Sequence, residues 1–369
     1  MKPNSKLKTL TRIFLDLVRI PSPSGHEEAV AKYVRQFLNE CGWQTTLDAA
    51  GNVIAERSLS GNNTNSREHP IVFVAHMDTV QKTDEIVHPQ FNGKRFISDG
   101  TTILGADNKA SIAVLLILAH EIFRSKKQSR VVLIFTTREE LGTMGSSALS
   151  LTRFQPKLIC NIDGSSRIGT IDYRSYGQLI FSLTVTGRAA HAAIEPEKGV
   201  HAIAILAKII NAIRLGKTES KVVNIGSISG GGATNIIPGS AQIRGEIRSY
   251  SKKVIDVTLQ KIYTKATKTA KKYGAIINVT IVEHTPPFIG TKHSNAVKAI
   301  CAAIEKSGLK PVLQSASYTS DASFLSNTGY PTVTLCRGGL KPHSTDESIS
   351  LQEMEQLLAI LKNVVVFNY

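Results

Sequence analysis

The stretch IVFVAHMDT, residues 71–79, joins an apolar run to polar side chains and decides the fold class. Ile71 to Ala75 has the unbroken apolar character of a strand buried on both faces, which is typical of a parallel sheet. In open α/β sheets, ligand-binding groups follow the carboxyl ends of such strands. His76 is therefore a candidate ligand, and Asp78, two residues further on, points the same way and can hydrogen-bond its second ring nitrogen.

Acidic residues follow two other apolar runs in the same manner. Residues 131–135 predict a strand that leads to the adjacent pair Glu139 and Glu140, and residues 158–162 lead to Asp163. Adjacent glutamates repel each other unless a cation is near. Asp163 stands before a glycine, so an ordinary turn aspartate is the alternative interpretation. The pattern predicts more than one acidic ligand at one edge of a sheet.

Two further residues complete a set that suits a metal. Asp107 precedes the apolar helical stretch 110–123, where it is either a helix cap or a carboxylate that bridges two cations. His343 lies in the loop 338–347, where it is either simply exposed or a ligand. A set of histidine nitrogens and carboxylate oxygens suits zinc, cobalt or manganese. The predicted ligands are His76, Asp107, Glu140, Asp163 and His343.

Several motifs around these residues resemble the co-catalytic zinc peptidases, the superfamily of peptidase T, glutamate carboxypeptidase and the aminoacylases. The peptidase T-like branch is the most similar, and the motifs occur in the family's order over almost the whole chain. The motifs are HMDT at 76–79, GADNKAS at 105–111, TTREELGTMGS at 136–146, NIDG at 161–164, GRAAHAAIEPEKG at 187–199, GGATNIIPG at 231–239 and HSTDE at 343–347.

The resemblance implies a cofactor of two Zn²⁺ per subunit, with Co²⁺ or Mn²⁺ as substitutes. Asp107 would bridge the two metals. His76 and Asp163 would complete one metal site, and Glu140 and His343 would complete the other. Two cations that share a water molecule lower its pKa toward neutrality, so hydrolysis would proceed without a covalent acyl-enzyme.

The same resemblance implies catalytic and substrate-binding residues. Glu139 would be the general base that takes a proton from metal-activated water, and Asp78 would orient a metal-binding histidine. His191 would reach the active site of a neighbouring subunit and stabilise the oxyanion, although without the resemblance a turn histidine is the favoured interpretation. Asn235 and Arg248 would hold the carbonyl or carboxylate of the substrate.

The implied fold class is α/β. A zinc-peptidase catalytic domain, with a mixed sheet flanked by helices, would carry an inserted α+β lid and dimerisation domain of ferredoxin-like β-α-β-β-α-β order. We expect the catalytic metal-binding domain at residues 1–175 and 288–369, with a helix-rich C-terminal part, and the lid at 176–287. A length of 369 residues exceeds what one hydrophobic core normally serves. The polar segment 58–68 predicts a long surface loop.

Composition makes nucleic acid and a membrane the less favoured partners. The net charge is +15, and a predicted helix at 252–272 is rich in lysine, but it lacks the interleaved aromatic residues of nucleic-acid-binding surfaces. A solvated lid face is therefore favoured over nucleic acid or a membrane as its partner. No apolar run is long enough to span a membrane, and the four cysteines lack metal or redox spacing. These features predict a cytoplasmic enzyme.

The predicted function is a dinuclear-zinc aminopeptidase that hydrolyses the N-terminal peptide bond of short peptides such as tripeptides, as a homodimer. A carboxypeptidase or N-acyl amino acid deacylase of the same superfamily is the first alternative, and an inactive metal-binding scaffold is the second. A G-x-S-x-G motif is absent and residues 26–30 do not match H-E-x-x-H, which disfavours serine hydrolases and single-zinc proteases. Arg138 either lowers the pKa of Glu139 or pairs with a surface acid.

Overall fold

The computed structural model describes residues 5–57, 69–83, 85–124 and 130–366, so the predicted loop 58–68 lies outside the described residues. The chain divides into two compact units, Met1–Ser175 with Phe288–Tyr369, and Tyr176–Pro287. Among the helices that the structure describes, none is both long and apolar enough to cross a membrane.

Helices and strands alternate over most of the chain. Within the described residues, the α-helices are α1 (Ser5–Arg19), α2 (Glu28–Glu40), α3 (Ala106–Arg124), α4 (Met144–Ser147), α5 (Ala202–Ala212), α6 (Lys252–Lys272), α7 (Asn295–Lys306), α8 (Ala322–Ser326) and α9 (Leu351–Val366). The strands are β1 (Trp43–Leu47), β2 (Val53–Arg57), β3 (Ile71–His76), β4 (Gln90–Phe91), β5 (Phe96–Ile97), β6 (Val131–Thr136), β7 (Leu158–Gly164), β8 (Thr170–Ser175), β9 (Gly177–Thr186), β10 (Ala190–His191), β11 (Gly216–Lys217), β12 (Val222–Gly230), β13 (Ile236–Ile237), β14 (Ser240–Ser249), β15 (Ile276–Thr285), β16 (Val312–Ala316), β17 (Thr332–Cys336) and β18 (Ser348–Ile349).

The first unit is organised around an eight-stranded sheet with the order β1-β2-β6-β3-β7-β17-β8-β16. Its central strands β6, β3, β7 and β17 run parallel, whereas β1 with β2, β2 with β6, and β17 with β8 pair antiparallel. The sheet is therefore mixed.

Both faces of this sheet are covered at its centre, which explains why the central strands β3 and β6 are almost entirely apolar. Phe73 of β3 enters one hydrophobic core, where α1, α3, α7 and α9 pack. Its neighbours Val72 and Val74 enter the core on the opposite face, with Leu325 of α8. Successive side chains of a strand point to opposite faces, so a strand covered on both sides needs apolar residues at every position.

The second unit is a five-stranded antiparallel sheet with the order β11-β12-β14-β9-β15. Its long elements occur in the order β9-α5-β12-β14-α6-β15. Alternate residues of β9, such as Phe181 and Leu183, pack with Ile205 of α5 and Ile262 of α6 in one core. The unit therefore has the β-α-β-β-α-β arrangement of a ferredoxin-like fold.

The mixed, helix-flanked sheet and the separate antiparallel unit together confirm the predicted α/β fold class. One detail of the prediction was incomplete. The C-terminal part of the first unit was expected to be rich in helices, and it contains α7, α8 and α9, but it also supplies β16 and β17 to the sheet.

Candidate metal centre

Three neighbouring parallel strands end at the same edge of the first unit's sheet, and each carries or leads to predicted ligands. His76 is the last residue of β3 and lies opposite Thr136 at the end of β6. Glu139 and Glu140 follow β6 in the next turn, and Asp163 is the penultimate residue of β7. Because β3 lies between β6 and β7, these side chains converge.

Asp107 reaches this edge from the start of α3. The backbone of Asp107 and Asn108 is not helical, and the peptide bond between them is cis. The Asp107 N–H donates to Glu347 Oε1 at 2.8 Å, and the Gly105 N–H donates to Glu347 Oε2 at 2.7 Å. Glu347 thereby accepts the N–H groups of Gly105 and Asp107 in this turn. The Asp107 carboxylate does not accept them and faces other residues of the site.

The two carboxylate oxygens of Asp107 face two different histidines. Oδ1 lies 3.3 Å from His76 Nε2, and Oδ2 lies 3.4 Å from His343 Nε2. Asp163 Oδ1 lies 3.3 Å from His76 Nε2, and Glu140 Oε1 lies 2.8 Å from His343 Nε2. Asp107 therefore lies between two pairs of side chains, His76 with Asp163 and His343 with Glu140.

The chemistry of these groups fits divalent cations. Two triplets of described residues bring possible ligand atoms within 4.8 Å of one another: His76 with Glu139 and Asp163, and His76 with Asp107 and Glu140. Asp107 Oδ1 is buried and has no hydrogen-bond partner in the described part of the chain. Nitrogen and oxygen donors at this spacing, with an unsatisfied carboxylate oxygen, match the preferences of zinc and related metals.

His343 differs from the other candidate ligands in its exposure. Its side chain is 48 % exposed, and its backbone has a positive φ of 62° in the loop before β18. A hydrogen bond to Asp107, which has the largest effect, and a second one to Glu140 raise the pKa of His343 to about 10 in the metal-free protein. The imidazole is thus held at the site by carboxylates, although it belongs to neither of the triplets described above.

Asp78 is buried beneath the turn that carries the paired glutamates. Its Oδ1 accepts from the Glu139 N–H at 3.0 Å, and its Oδ2 accepts from the Glu140 N–H at 3.0 Å and from Ser24 Oγ at 2.6 Å. His76 Nδ1 lies 3.4 Å from Asp78 Oδ1 and 3.0 Å from the Asp78 main-chain oxygen. A proton on Nδ1 would leave Nε2 free to bind a metal.

The electrostatics of the site follow from burying several carboxylates together. Burial raises the pKa of Glu139 well above its usual value, and the charge of Asp163 adds to the effect. Burial opposes protonation of His76, but the charge of Asp163 and hydrogen bonds to nearby carboxylates outweigh burial and raise its pKa. A carboxyl group with a raised pKa is suited to accept and return a proton near neutral pH.

Arg138 has neither of the two effects considered for it. Its side chain donates from Nη2 to the Ala50 carbonyl at 3.0 Å, while its main-chain N–H donates to Glu27 Oε1 at 2.9 Å. The pKa of Glu139 is raised rather than lowered. Arg138 is not among the main groups that set the pKa of Glu139, and its guanidinium hydrogen-bonds a carbonyl rather than a surface acid.

Two residues of the site were given no role from sequence. Glu347 was recognised only as the end of the HSTDE motif, yet it is buried and holds the turn before α3. Arg337 is 1 % exposed, and its Nη2 lies 2.8 Å from Asp107 Oδ2. The available signal for Arg337 was a charged residue placed directly after the apolar run 332–336, at the edge where ligands gather.

His191 and Asn235 lie in the second unit and are neighbours there. His191 of β10 pairs with Ile236 of β13, and the Ala192 N–H donates to the Asn235 carbonyl at 2.9 Å. His191 is exposed, and its Nδ1 accepts from the Ile194 N–H at 3.1 Å. This bond leaves Nε2 as the nitrogen available for a substrate.

Arg248 lies apart from this pair within the second unit. It is near the end of β14, whereas Asn235 precedes the start of that strand at Ser240. Eight residues of extended chain correspond to about 27 Å. Arg248 Nε lies 3.0 Å from Glu246 Oε2, so its guanidinium is partly neutralised.

A mixed α/β sheet with histidine and carboxylate pairs around one shared carboxylate defines a class of protein, the metal-dependent hydrolases with candidate sites for two cations. Comparison with known proteins narrows the class. Residues 72–366 match Peptidase family M20/M25/M40, and the chain belongs to this family. It is therefore a hydrolase of the M20 metallopeptidases.

The similar proteins agree with the predicted branch. The chain is 30 % identical to the uncharacterized protein YqjE of Bacillus subtilis, with 96 % of this chain and 98 % of that protein covered. The aminopeptidase PepT of Bacillus cereus has a TM-score of 0.88 at 29 % identity, covering 97 % of this chain and 98 % of that one. A tripeptidase of Staphylococcus aureus has a TM-score of 0.90 at 27 % identity, covering 97 % of each chain. The resemblance to the peptidase T-like branch is confirmed.

Proposed function

We propose that this protein is a dinuclear-zinc aminopeptidase that removes the N-terminal residue of short peptides, with tripeptides as the preferred class. The observation that carries the proposal is the carboxylate of Asp107 between His76 and His343, with Glu139 buried beside His76 and Asp163. Similarity over 97 % of the chain to a protein named aminopeptidase PepT and to a tripeptidase supports this substrate class.

The proposed ligands divide into two sets. His76 and Asp163 would hold one zinc ion, Glu140 and His343 would hold the other, and Asp107 would bind both. When bound, the two cations would supply Lewis acidity, lowering the pKa of a water molecule and polarising the scissile carbonyl. Co²⁺ and Mn²⁺ accept the same donor types and are expected to substitute.

The chain's own groups would move the proton. Glu139 would accept it from the attacking water and return it to the leaving amine, a double role that suits a carboxyl group whose pKa is raised by burial. Asp78 would keep Glu139 in place by accepting its main-chain N–H at 3.0 Å. No side chain of the protein needs to form a covalent bond with the substrate.

Residues of the second unit would contribute to substrate binding. We propose that His191, whose imidazole is exposed, donates to the oxyanion in the active site of a second copy of the chain. Asn235, its neighbour, would hold the substrate carbonyl in that same active site. Arg248 lies too far along β14 to contact the same short peptide, so it would bind the free carboxylate of the peptide in the other active site of the dimer, through its fork of N–H donors. The second unit would then serve as a lid and dimerisation domain, and the enzyme would be a homodimer.

Hydrolysis of a matched peptide panel tests the proposed activity. The panel contains a free tripeptide, the same peptide N-acetylated, the same peptide C-amidated, and an N-acyl amino acid. We expect zinc-loaded protein to cleave the free tripeptide at its first bond and to leave the N-acetylated peptide intact. Glu139→Gln should lose activity by at least about 10²-fold while its metal content is unchanged, because only the proton acceptor is removed.

Each alternative has its own signature on this panel. Cleavage of the N-acetylated peptide at its last bond would identify a carboxypeptidase, and cleavage of the N-acyl amino acid would identify a deacylase. Metal-loaded protein that cleaves none of the four substrates would favour the inactive scaffold. Cleavage by Glu139→Gln at the wild-type rate would contradict the proposed general base.

Mixing two inactive variants tests whether His191 acts across subunits. Protein with His191→Ala and protein with Glu139→Gln would each be inactive alone. In a hybrid dimer, one active site would combine the intact Glu139 of one copy with the intact His191 of the other. Random exchange of subunits should restore about a quarter of wild-type activity, because half of the dimers are hybrids with one complete site each. No recovery in proven hybrid dimers would rule out this arrangement.

A further inference from the structure

Arg337 is a buried cation at the proposed metal centre. It follows β17 directly and is 1 % exposed, although arginine is almost never fully buried unless it is paired. Its Nη1 donates to the Gly338 carbonyl at 3.0 Å. Its Nε and Nη2 make no hydrogen bond of good geometry within the described residues. The free-energy cost of burying the guanidinium must therefore be offset mainly by a nearby negative charge.

The negative charge that faces Arg337 is the carboxylate of Asp107. Arg337 Nη2 lies 2.8 Å from Asp107 Oδ2, the same oxygen that lies 3.4 Å from His343 Nε2. The other oxygen, Oδ1, faces His76. Arg337 therefore acts on the half of Asp107 that belongs to the Glu140 and His343 pair, and not equally on both halves.

The backbone of Gly339 lies close to the buried guanidinium of Arg337. A Cβ atom at Gly339 would lie 2.9 Å from Arg337 Nη1, and Gly339 has a φ of +85°. The positive φ favours glycine at this position, and the guanidinium lies directly beside it. Because Arg337 is buried and arginine stays protonated, its charge belongs to the site.

We propose, on the basis of the function proposed above, that Arg337 is a positioning residue whose positive charge neutralises part of the Asp107 carboxylate that the second cation would otherwise use. It would hold Asp107 in place in the metal-free protein and weaken the cation site of Glu140 and His343 relative to that of His76 and Asp163. The second cation would then be the exchangeable one.

The expected size of this effect follows from Coulomb's law. A cation bound to Asp107 Oδ2 at about 2.1 Å would lie within about 5 Å of Arg337 Nη2. Even at the dielectric constant of water, a unit charge at that separation changes the binding of a divalent cation by more than about tenfold. Removing the charge should therefore tighten the second site by at least about tenfold.

Calorimetric zinc titration of metal-free wild type and Arg337→Met, with metal content measured after dialysis, tests the inference. The wild type should bind two cations with affinities at least about tenfold apart. Arg337→Met should bind the second cation more tightly, and its metal-free form should unfold at a lower temperature. Arg95→Met is the matched control, because Arg95 pairs with Glu353 and should leave both affinities unchanged.

The order of filling provides a test that does not depend on the folding of Arg337→Met. His343 is half exposed, and His343→Ala should fold, lose the weaker binding step and keep the tighter one. Loss of the tighter step would overturn the inference. If the wild type binds two cations and Arg337→Met binds the second with the same affinity as the wild type, the inference about Arg337 is wrong. The proposed function is unaffected by that result. Fewer than two cations in the wild type would overturn the proposed function as well.

Discussion

Replacing Asp78 by asparagine removes one hydrogen-bond acceptor while keeping the shape of the side chain. In the wild type, the carboxylate accepts the main-chain N–H groups of Glu139 and Glu140, each at 3.0 Å, through its two oxygens. Asparagine has one carbonyl oxygen, so one of these N–H groups must face an NH₂ group instead. The turn that carries the proposed general base and one proposed metal ligand then loses one of the two hydrogen bonds that hold it to Asp78.

The magnitude of the loss can be worked out from the bond that disappears. A hydrogen bond to a charged group contributes about 1.5–3 kcal/mol, and Asp78 is completely buried, so water does not replace it. A change of 1.4 kcal/mol corresponds to a factor of ten, so we expect kcat/KM to fall by about 10–100-fold. The metal-free protein should also unfold at a lower temperature.

The assay is kcat/KM for a free tripeptide at saturating zinc, together with the metal content of the same sample. Ser24→Ala is the matched control, because it removes the 2.6 Å bond from Ser24 Oγ to Asp78 Oδ2 but leaves the acceptors of Glu139 and Glu140. It should lower stability while changing kcat/KM by less than about threefold. A value for Asp78→Asn within threefold of wild type, with both cations bound, would refute the reasoning.

Three further outcomes are expected. Asn52→Ala should lower the free energy of unfolding by about 2–4 kcal/mol in a urea titration, because buried Asn52 accepts from the Thr137 N–H at 3.0 Å and donates to the Gly145 carbonyl at 2.9 Å; an unchanged midpoint would contradict this. Burial raises the pKa of Asp321 from 3.8 to about 6, so its favourable contribution is complete below about pH 4 and is lost as the pH rises to 6. The stability of wild type relative to Asp321→Asn should accordingly fall between pH 4 and 6 and stay constant above, whereas a pH-independent difference would be inconsistent with this shift. Chelation should abolish hydrolysis and lower the unfolding temperature, both reversed by zinc, since cations bound only to the folded state stabilise it; full activity after proven metal removal would exclude the proposed mechanism.

The fold class and the gathering of candidate ligands at one sheet edge were predictable from local patterns. Apolar runs such as 71–75 and 131–135 identify buried parallel strands, and parallel strands in one sheet align their carboxyl ends. His76 follows its run directly and Glu139 follows its run within four residues, so their meeting could be predicted without knowledge of the chain between them. The resemblance to zinc peptidases then suggested how the individual roles are divided.

Contacts between distant parts of the chain were not predictable in this way. Glu347 holds the Asp107 N–H across 240 residues, and no local pattern indicates which backbone group a buried acid will bind. Arg337 has its position because β17 enters the sheet between β7 and β8. Strand order is set by packing of the whole sheet, and a single sequence does not specify it.

The place of β17 has a consequence for how the chain is made. Thr332–Cys336 pairs with β7 on one side and β8 on the other, so the first unit's sheet stays divided until residues 332–336 have left the ribosome. Tyr176–Pro287, by contrast, has all its strands within one continuous segment and can fold earlier. Nascent chains must therefore protect the apolar, unpaired edge of β7 during synthesis, and premature termination before residue 332 leaves an edge prone to aggregation.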